Sequence, residues 1–538
     1  MAKKCCVLIL AATVVALVLR LPRLQQRPMH GDEAVHADKF RLLLEEGFYE
    51  YEPEEYHGPT LNYLTLIPAK LAGAEKLTQV NEFTLRIVPV FFGLCLVLLL
   101  LPLAGGLGRG AAAYAAVLTA ISPAMVFYSR YYIQETLLVC FTFGAVVSGY
   151  RYTRNKNFAW ALLTGTFLGL MHATKETCII AFSAMLLALF LTLLMRRQKG
   201  SLVNAVTAIR PSHLVGGLVA GAVVSGAFYS SFLSNPIGIL DSVRTYTTYF
   251  DRAGNSTLHI HPWSYYLKML IYFRYGDGPF WTEALIVLLA VVGFIASMTK
   301  KALSSANIGL YRFIAFYTLI LTVVYSAIPY KTPWCMLGFL HGMILLAGLG
   351  AVVLVRLVPN VLPRLIVILL LFETSAHLSW QAYLSNYRLY ADSRNPYVYA
   401  HPTTEVFTVV QKIKEYAGLQ EDGQNIQLQV ICPEDDYWPL PWYLRSFSNV
   451  MWLNKVIDDE PSAPLIIASD KVETALANKL YTLTPLEQRQ MYLLLFDKPY
   501  YVWLRPEVKL LGFVRKDLWE SFQRQQATEV QKKTEGEK

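Results

Sequence analysis

A few residues in this chain have types and spacings that call for a chemical explanation. Asp32 and Glu33 stand side by side in "RPMHGDEAVHADKF", flanked by His30 and His36, just past an apolar run. His57 closes the acidic stretch "EEGFYEYEPEEYHGP". Farther on come Arg130 and Glu135 in "YSRYYIQE", Lys175 in "MHATKET", His261 and Trp263 in "LHIHPW", and Tyr330 and Lys331 in "IPYKTPW". Charge beside hydrocarbon is costly and is usually retained for function. A carboxylate can take a proton from a hydroxyl and stabilise an oxocarbenium-like carbon. Arg, Lys or a metal ion can stabilise a departing phosphate. The set therefore suits moving a sugar from a lipid-anchored phosphate to a hydroxyl acceptor.

Each residue also has a plain reading. Asp and Glu favour the first turn of a helix whatever else they do. Arg130, Lys175 and Lys331 could be interfacial anchors that snorkel to headgroups. His30, His36 and His57 could join the acids around a divalent metal ion, although no tight ligand spacing supports it. The run from Trp263 to Phe273 reads as an amphipathic helix in the interface. Glu373 and His377, four residues apart in the last apolar run, read as a structural pair. The acidic run Glu45–Glu55 reads as a solvated face.

The elements that must position these groups are membrane helices. Hydrophobic residues make up 54% of the chain and charged ones 16%, against about 25% charged in soluble domains. Mean hydropathy is +0.36. Runs near the 20 residues a span needs occur about eleven times, at roughly 5–21, 85–103, 111–128, 133–150, 158–173, 177–195, 213–233, 282–299, 313–328, 335–355 and 365–382. The first lacks a cleavage signature and reads as a retained span. With the N-terminus cytoplasmic, the inside loops hold 15 bases and no acids, whereas loop 22–84 holds eleven acids and six bases. That satisfies the positive-inside rule, so the net charge of +9 records topology and excludes nucleic acid as the partner. The seven cysteines form no disulfide or zinc pattern.

The fold expected is a polytopic α-helical membrane protein of about 11 transmembrane helices with a C-terminal extracytoplasmic α/β domain. Residues 1–382 form the membrane domain, with extracytoplasmic loops 22–84 and 234–281; residues 383–525 form the soluble domain; 526–538 form a disordered tail. In the soluble part, helices are expected near 403–417, 470–480 and 508–524, and strands at "IQLQVIC" and "APLIIAS".

The chain resembles the GT-C glycosyltransferases, in particular the protein O-mannosyltransferase and aminoarabinose-transferase group. The resemblance rests on "HGDEAVHA", "YHGPTLNYL", "NEFTLRIVPVFFG", "SRYYIQETLL", "ATKETCIIA" and "YKTPWCMLGFLHGMILLAG", in order across roughly residues 5–355. "HPWSYYL", "NPYVYAHPTTEV" and "DYWPLPWYLR" further resemble a prokaryotic subfamily labelled flippase-activity-associated. The resemblance implies a GT-C-like fold and an inverting transferase using a polyprenyl-phosphate sugar, with Asp32 as base, Glu33 beside it and Glu135 as the second acid. Lys331 and Lys175 match basic positions near the donor phosphate, and Arg130, His57, Tyr330, His261 and Trp263 complete the expected donor and substrate contacts. One departure is that related enzymes often carry Lys before the proline where this chain has His57-Gly58-Pro59.

The expected partners are a polyprenyl-phosphate sugar, membrane lipids and an extracytoplasmic protein, lipid or glycan acceptor. No cofactor is expected beyond the alternative of a divalent metal. The expected location is the cell (inner) membrane, with the C-terminal domain periplasmic or extracellular. The rival reading is a non-enzymatic transporter or flippase accessory for lipid-linked glycans.

Overall fold

The structure, a computed structural model, describes the chain except residues 1, 55–56, 196–206, 256–258, 300–305, 420–422, 488 and 537–538. Of the bases counted above, Arg196, Arg197, Lys199, Lys300 and Lys301 lie outside the described residues. The chain forms two compact units. One comprises Met1–Leu24, Lys39–Glu75 and Val80–Tyr399; the other comprises Gln25–Asp38, Lys76–Gln79 and Ala400–Lys538. The segment bearing Asp32 thus belongs to the same unit as the C-terminal residues, and residues 383–399 belong with the apolar helices.

In the first unit every expected apolar run is helical, from Ala2–Arg20 through Val361–Tyr383. Among the described residues, Glu82–Leu107, Pro211–Tyr229, Ile308–Ala327, Pro333–Leu357 and Val361–Arg388 are long and apolar enough to cross a membrane. Shorter apolar helices occur at Arg109–Ile121, Phe158–His172, Cys178–Leu194 and Ala284–Met298. Leucine side chains on their outer faces are exposed, as lipid permits and water would not. This is a multi-pass membrane protein.

Small residues bring the helices together, as expected where no hydrophobic force separates helix from lipid. Gly165 and Gly169 of Phe158–His172 lie against Gly217 and Gly221 of Pro211–Tyr229; a Cβ on Gly165 would sit 1.8 Å from the Gly217 carbonyl oxygen. Gly293 and Gly350 play the same part between Ala284–Met298 and Leu337–Leu357. Ser122 ends the helix Arg109–Ile121 and caps Pro123–Tyr128, its hydroxyl accepting from the Met125 N–H, with proline at the first helical position.

The expected loop 234–281 contains helical structure. It holds an amphipathic helix, Gly238–Asn255. The helix expected from Trp263 to Phe273 is confined to Tyr265–Ile271, with Tyr266, Met269 and Leu270 buried. The acidic stretch is not wholly a solvated face either: Tyr49 and Tyr51 are buried with Leu43, Ala173 and Tyr229, and Glu52 pairs with buried Lys39. Glu373 faces outward from the last apolar helix, while the ring of His377 stacks on Phe280 at 5.6 Å.

The second unit carries a six-stranded sheet in the order β2-β1-β3-β6-β4, with β5 also paired to β6. The strands are β1 (Leu428–Ile431), β2 (Val450–Leu453), β3 (Leu465–Ser469), β4 (Tyr492–Leu494), β5 (Val502–Arg505) and β6 (Val508–Arg515). β1 runs parallel to β2 and β3, and β6 antiparallel to β3. With the helix Val406–Ala417, this is the α/β domain expected. One expectation is corrected. Residues 508–515 are strand, because the short apolar run "VKLLGFVR" finds partners in β3, β4 and β5; periodicity alone does not separate a buried strand from a helix over so few residues. The helix Lys516–Gly536 follows β6 and is rich in the good helix formers Gln, Glu and Lys.

Candidate functional site

Asp32 and Glu33 open the helix Gly31–Glu46, and they do so differently. His30 is the N-cap residue: its carbonyl accepts the Ala34 N–H at 3.0 Å, and its Nδ1 accepts the Asp32 N–H at 3.0 Å. Glu33, three residues on, returns the bond, Oε2 accepting the His30 N–H at 3.0 Å. This is a capping box with histidine in place of the usual Ser or Thr. Glu33 is fully buried, and its other oxygen faces Arg27 at 3.4 Å. Asp32 takes part only through its backbone; its side chain is 48% exposed.

The same unit supplies the surroundings. The Met29 N–H donates to the Tyr443 hydroxyl at 2.8 Å, the His30 ring lies 4.8 Å from that of His401, and a Cβ on Gly31 would touch Trp438. Tyr443 is itself packed edge-on against Phe407. His36 lies buried on the same helix.

A second group lies in the first unit. Lys175 and Glu176 occupy the turn between Phe158–His172 and Cys178–Leu194, and each meets an opposite partner. The Lys175 ammonium pairs with Glu135, the first residue of the helix Glu135–Asn155. Glu176 accepts from the Tyr51 hydroxyl at 2.9 Å and meets His57 Nδ1 at 2.8 Å. All but His57 are buried. Gly58 is required here: a Cβ would lie 2.3 Å from the Ala173 carbonyl oxygen, and the adjacent Thr60 N–H donates to that oxygen. A small cavity of about 30 Å³ under the Lys175–Glu135 pair is closed by Tyr325, Trp334 and Cys335.

Burial works against the charge on Lys175, yet Glu135 and Glu176 hold its ammonium above its ordinary value. For Glu176, burial favours the neutral acid, but His57 and Tyr51 outweigh it and hold the carboxyl below the usual carboxylate range. A carboxyl whose pKa falls on folding contributes stability at high pH and loses it as pH falls through the folded value. The apparent melting temperature in detergent should therefore be steady at neutral pH and fall below about pH 5. Glu176→Gln should remove part of that acid dependence; an unchanged acid limb would show that Glu176 does not contribute to it.

The third group is Tyr330-Lys331 with His261. Ile260 and Tyr330 pair in an antiparallel bridge. The Lys331 N–H donates to the His259 carbonyl and the His261 N–H to that of Pro329, at 2.9 and 3.1 Å. Lys331 is 1% exposed, and its ammonium donates to the backbone carbonyls of His261 and Ile328. No carboxylate neutralises it among these contacts. His259 Nδ1 and His261 Nε2 both meet the Tyr399 hydroxyl, at 2.6 and 3.1 Å. Trp263 is 69% exposed.

Arg130 meets other partners. Its guanidinium donates to the carbonyls of Arg20, Pro22 and Arg23 and to the Tyr387 hydroxyl, closing the end of the first helix, Ala2–Arg20, whose last carbonyls have no partner within the helix. The metal alternative gains no support from geometry. Among the described residues no three His, Cys, Asp or Glu side chains gather as a metal site; His30 Nδ1 is the cap acceptor and His57 Nδ1 meets Glu176.

An apolar cavity of about 860 Å³ separates Phe158–His172 and Pro211–Tyr229 from Cys178–Leu194 and the start of Ile308–Ala327. His172 stands at one end and His213 and Asn307 at the other, with Leu168, Met185 and Leu218 between. His172 immediately precedes the turn that carries Lys175 and Glu176. Sequence reasoning missed Tyr51, Tyr399 and the pairing role of Glu176. Only the adjacency of opposite charges, Lys175-Glu176, hinted at the last.

Residues 57–230 match the sequence model of the family described as dolichyl-phosphate-mannose-protein mannosyltransferase. No curated protein matches the chain by sequence. Among solved structures, the chain is similar to ArnT from Cupriavidus metallidurans bound to undecaprenyl phosphate, with a TM-score of 0.61 at 14% identity over 94% of this chain and 97% of that one. It is also similar to the Archaeoglobus fulgidus oligosaccharyltransferase tethered with an acceptor peptide, with a TM-score of 0.51 at 13% identity over 83% and 63%. The fold is that of the GT-C glycosyltransferases.

Proposed function

We propose that the protein is an integral-membrane glycosyltransferase. It takes a sugar from a polyprenyl-phosphate donor and passes it, with inversion, to a hydroxyl of an extracytoplasmic acceptor. The observation that carries this reading is the match of residues 57–230, a stretch that includes His57, Glu135, Lys175 and Glu176 on a GT-C fold. ArnT, of similar fold, is bound to undecaprenyl phosphate, and the apolar cavity of about 860 Å³ suits an isoprenoid chain held in the bilayer.

In the reaction, Asp32 takes the proton of the acceptor hydroxyl as its oxygen attacks the anomeric carbon, and the bond from that carbon to the phosphate oxygen breaks. Lys331 is the cation best suited to the phosphate that leaves. Two of its three N–H bonds are held by carbonyls, and among the described residues no carboxylate pairs with it as Glu135 pairs with Lys175. His261 adjoins it through the backbone, Tyr330 precedes it in sequence, these two and exposed Trp263 are assigned to the substrate, and Glu135 acts through Lys175 to shape that turn. The N-terminus is cytoplasmic, the C-terminal domain lies outside, and the chain resides in the cell (inner) membrane.

Mass spectrometry of lipid-linked sugars and surface glycans, with and without the gene, tests the reading. An accumulated polyprenyl-phosphate sugar together with one missing glycan is expected. Redistribution of lipid-linked glycans across the membrane, with every linkage still made, would favour a transporter instead.

A further inference from the structure

The adjacent acids Asp32 and Glu33 differ so sharply in environment that they cannot share one task. Both oxygens of Glu33 are engaged, one with the His30 N–H and one with Arg27, and the side chain is fully buried. To accept a proton from a substrate it would have to abandon the helix start it secures. Asp32 contributes only its N–H to that start, and its carboxylate is half exposed. His30 Nδ1 accepts the Asp32 N–H, so it carries no hydrogen there and cannot donate to the Asp32 carboxylate 3.6 Å away.

The turn before the helix is fixed from the C-terminal side of the sequence. Tyr443 accepts the Met29 N–H, His401 packs on His30, and Trp438 lies against Gly31. Tyr443 stands in a short helix, Leu440–Tyr443, braced by Phe407. Four successive residues, Met29 to Asp32, are thus held by backbone bonds or ring contacts, and the first side chain released from this frame is Asp32.

We propose that Glu33 is a positioning residue, not a second base, and that the C-terminal domain uses Tyr443 to set the first turn of the helix so that Asp32 alone is presented to the acceptor. This rests on the transferase reading above. It assigns the C-terminal domain a part in the reaction: the domain supplies no reacting group but fixes the direction of the base. Displacement of a reacting group by about 1 Å can cost about 100-fold in rate, so a capping box and one tyrosine hydroxyl are sufficient levers.

The test uses full-length protein in nanodiscs with undecaprenyl-phosphate mannose as the donor probe, and a second readout that needs no activity. Glu33→Gln keeps an oxygen for the His30 N–H and should retain kcat within about 10-fold. Glu33→Ala removes the bond and should lower kcat by about 100-fold with donor KM little changed. Tyr443→Phe, which keeps the ring, should lower kcat several-fold. In parallel, Asp32→Cys is labelled with a membrane-impermeant maleimide. Its rate should be unchanged by Glu33→Gln and altered at least about threefold by Glu33→Ala or Tyr443→Phe. Glu33→Gln as inactive as Asp32→Asn, in protein that melts like wild type, would make Glu33 a reacting group and overturn the proposal. So would labelling rates indifferent to Glu33→Ala and Tyr443→Phe. Wild-type protein that transfers nothing while the labelling pattern holds would overturn the transferase reading and leave the positioning geometry standing.

Discussion

Asp32→Asn is expected to abolish sugar transfer, by about 10²- to 10⁴-fold, without lowering the melting temperature of the purified protein. The two halves of that expectation have separate physical grounds. The loss follows from removing the group that takes the acceptor proton: the Asn amide has nearly the same shape but no basic oxygen at neutral pH. The unchanged stability follows from the division of labour at the helix start. The bond that Asp32 gives to the fold comes from its backbone N–H, donated to His30, and Asn has the same N–H. The carboxylate itself is 48% exposed, and surface substitutions of this kind change stability by about 0.5 kcal/mol or less. The measurement is kcat in nanodiscs beside a thermal melt. Retention of more than a tenth of the wild-type rate would remove Asp32 from the role of base. A large fall in melting temperature would instead show that its carboxylate helps to hold the turn.

Lys175→Met is the substitution expected to damage the fold most. The ammonium of Lys175 and the carboxylate of Glu135 are both buried, at 6% and 5% exposure, and pair with each other. Removing one partner of such a pair leaves a charge with neither water nor counter-ion, at a cost of about 3–5 kcal/mol. Replacing both by apolar residues of similar size is often nearly neutral. The double variant Lys175→Met with Glu135→Leu should therefore regain most of the melting temperature that the single variant loses. A single variant that melts like wild type would mean that water reaches the pair, and a double variant no better than the single would mean that the two charges are not coupled. Activity need not return with stability, since the turn that carries Lys175 also carries Glu176 and its bonds to Tyr51 and His57.

The helical membrane domain was legible because hydrocarbon allows few answers. Backbone polar groups in lipid must be satisfied within the chain, so a long apolar run is a helix almost by necessity, and the runs from Ala2 to Tyr383 were helices as expected. The C-terminal domain was less legible. "LQVI" and "LIIAS" read as buried strands and are β1 and β3. "VKLLGFVR" was misread as helix because its identity is decided by distant partners, with β3 some 40 residues earlier in sequence. The helix Gly238–Asn255 lies in a stretch expected only as an extracytoplasmic loop.

The amino-acid sequence by itself determined which side chains could do chemistry, that most of the chain lives in lipid, and the motif order that resembles GT-C transferases. Those follow from composition and short-range pattern, which a linear text carries in full. Only the tertiary structure separated residues of the same type. It gave Glu33 to the helix cap and left Asp32 half exposed. It turned Arg130 toward the carbonyls that end the first helix, paired Lys175 with Glu135, and held the Lys331 ammonium by backbone carbonyls. The reason is that a charge acts through whatever it faces, and burial and partner choice depend on contacts between segments up to hundreds of residues apart.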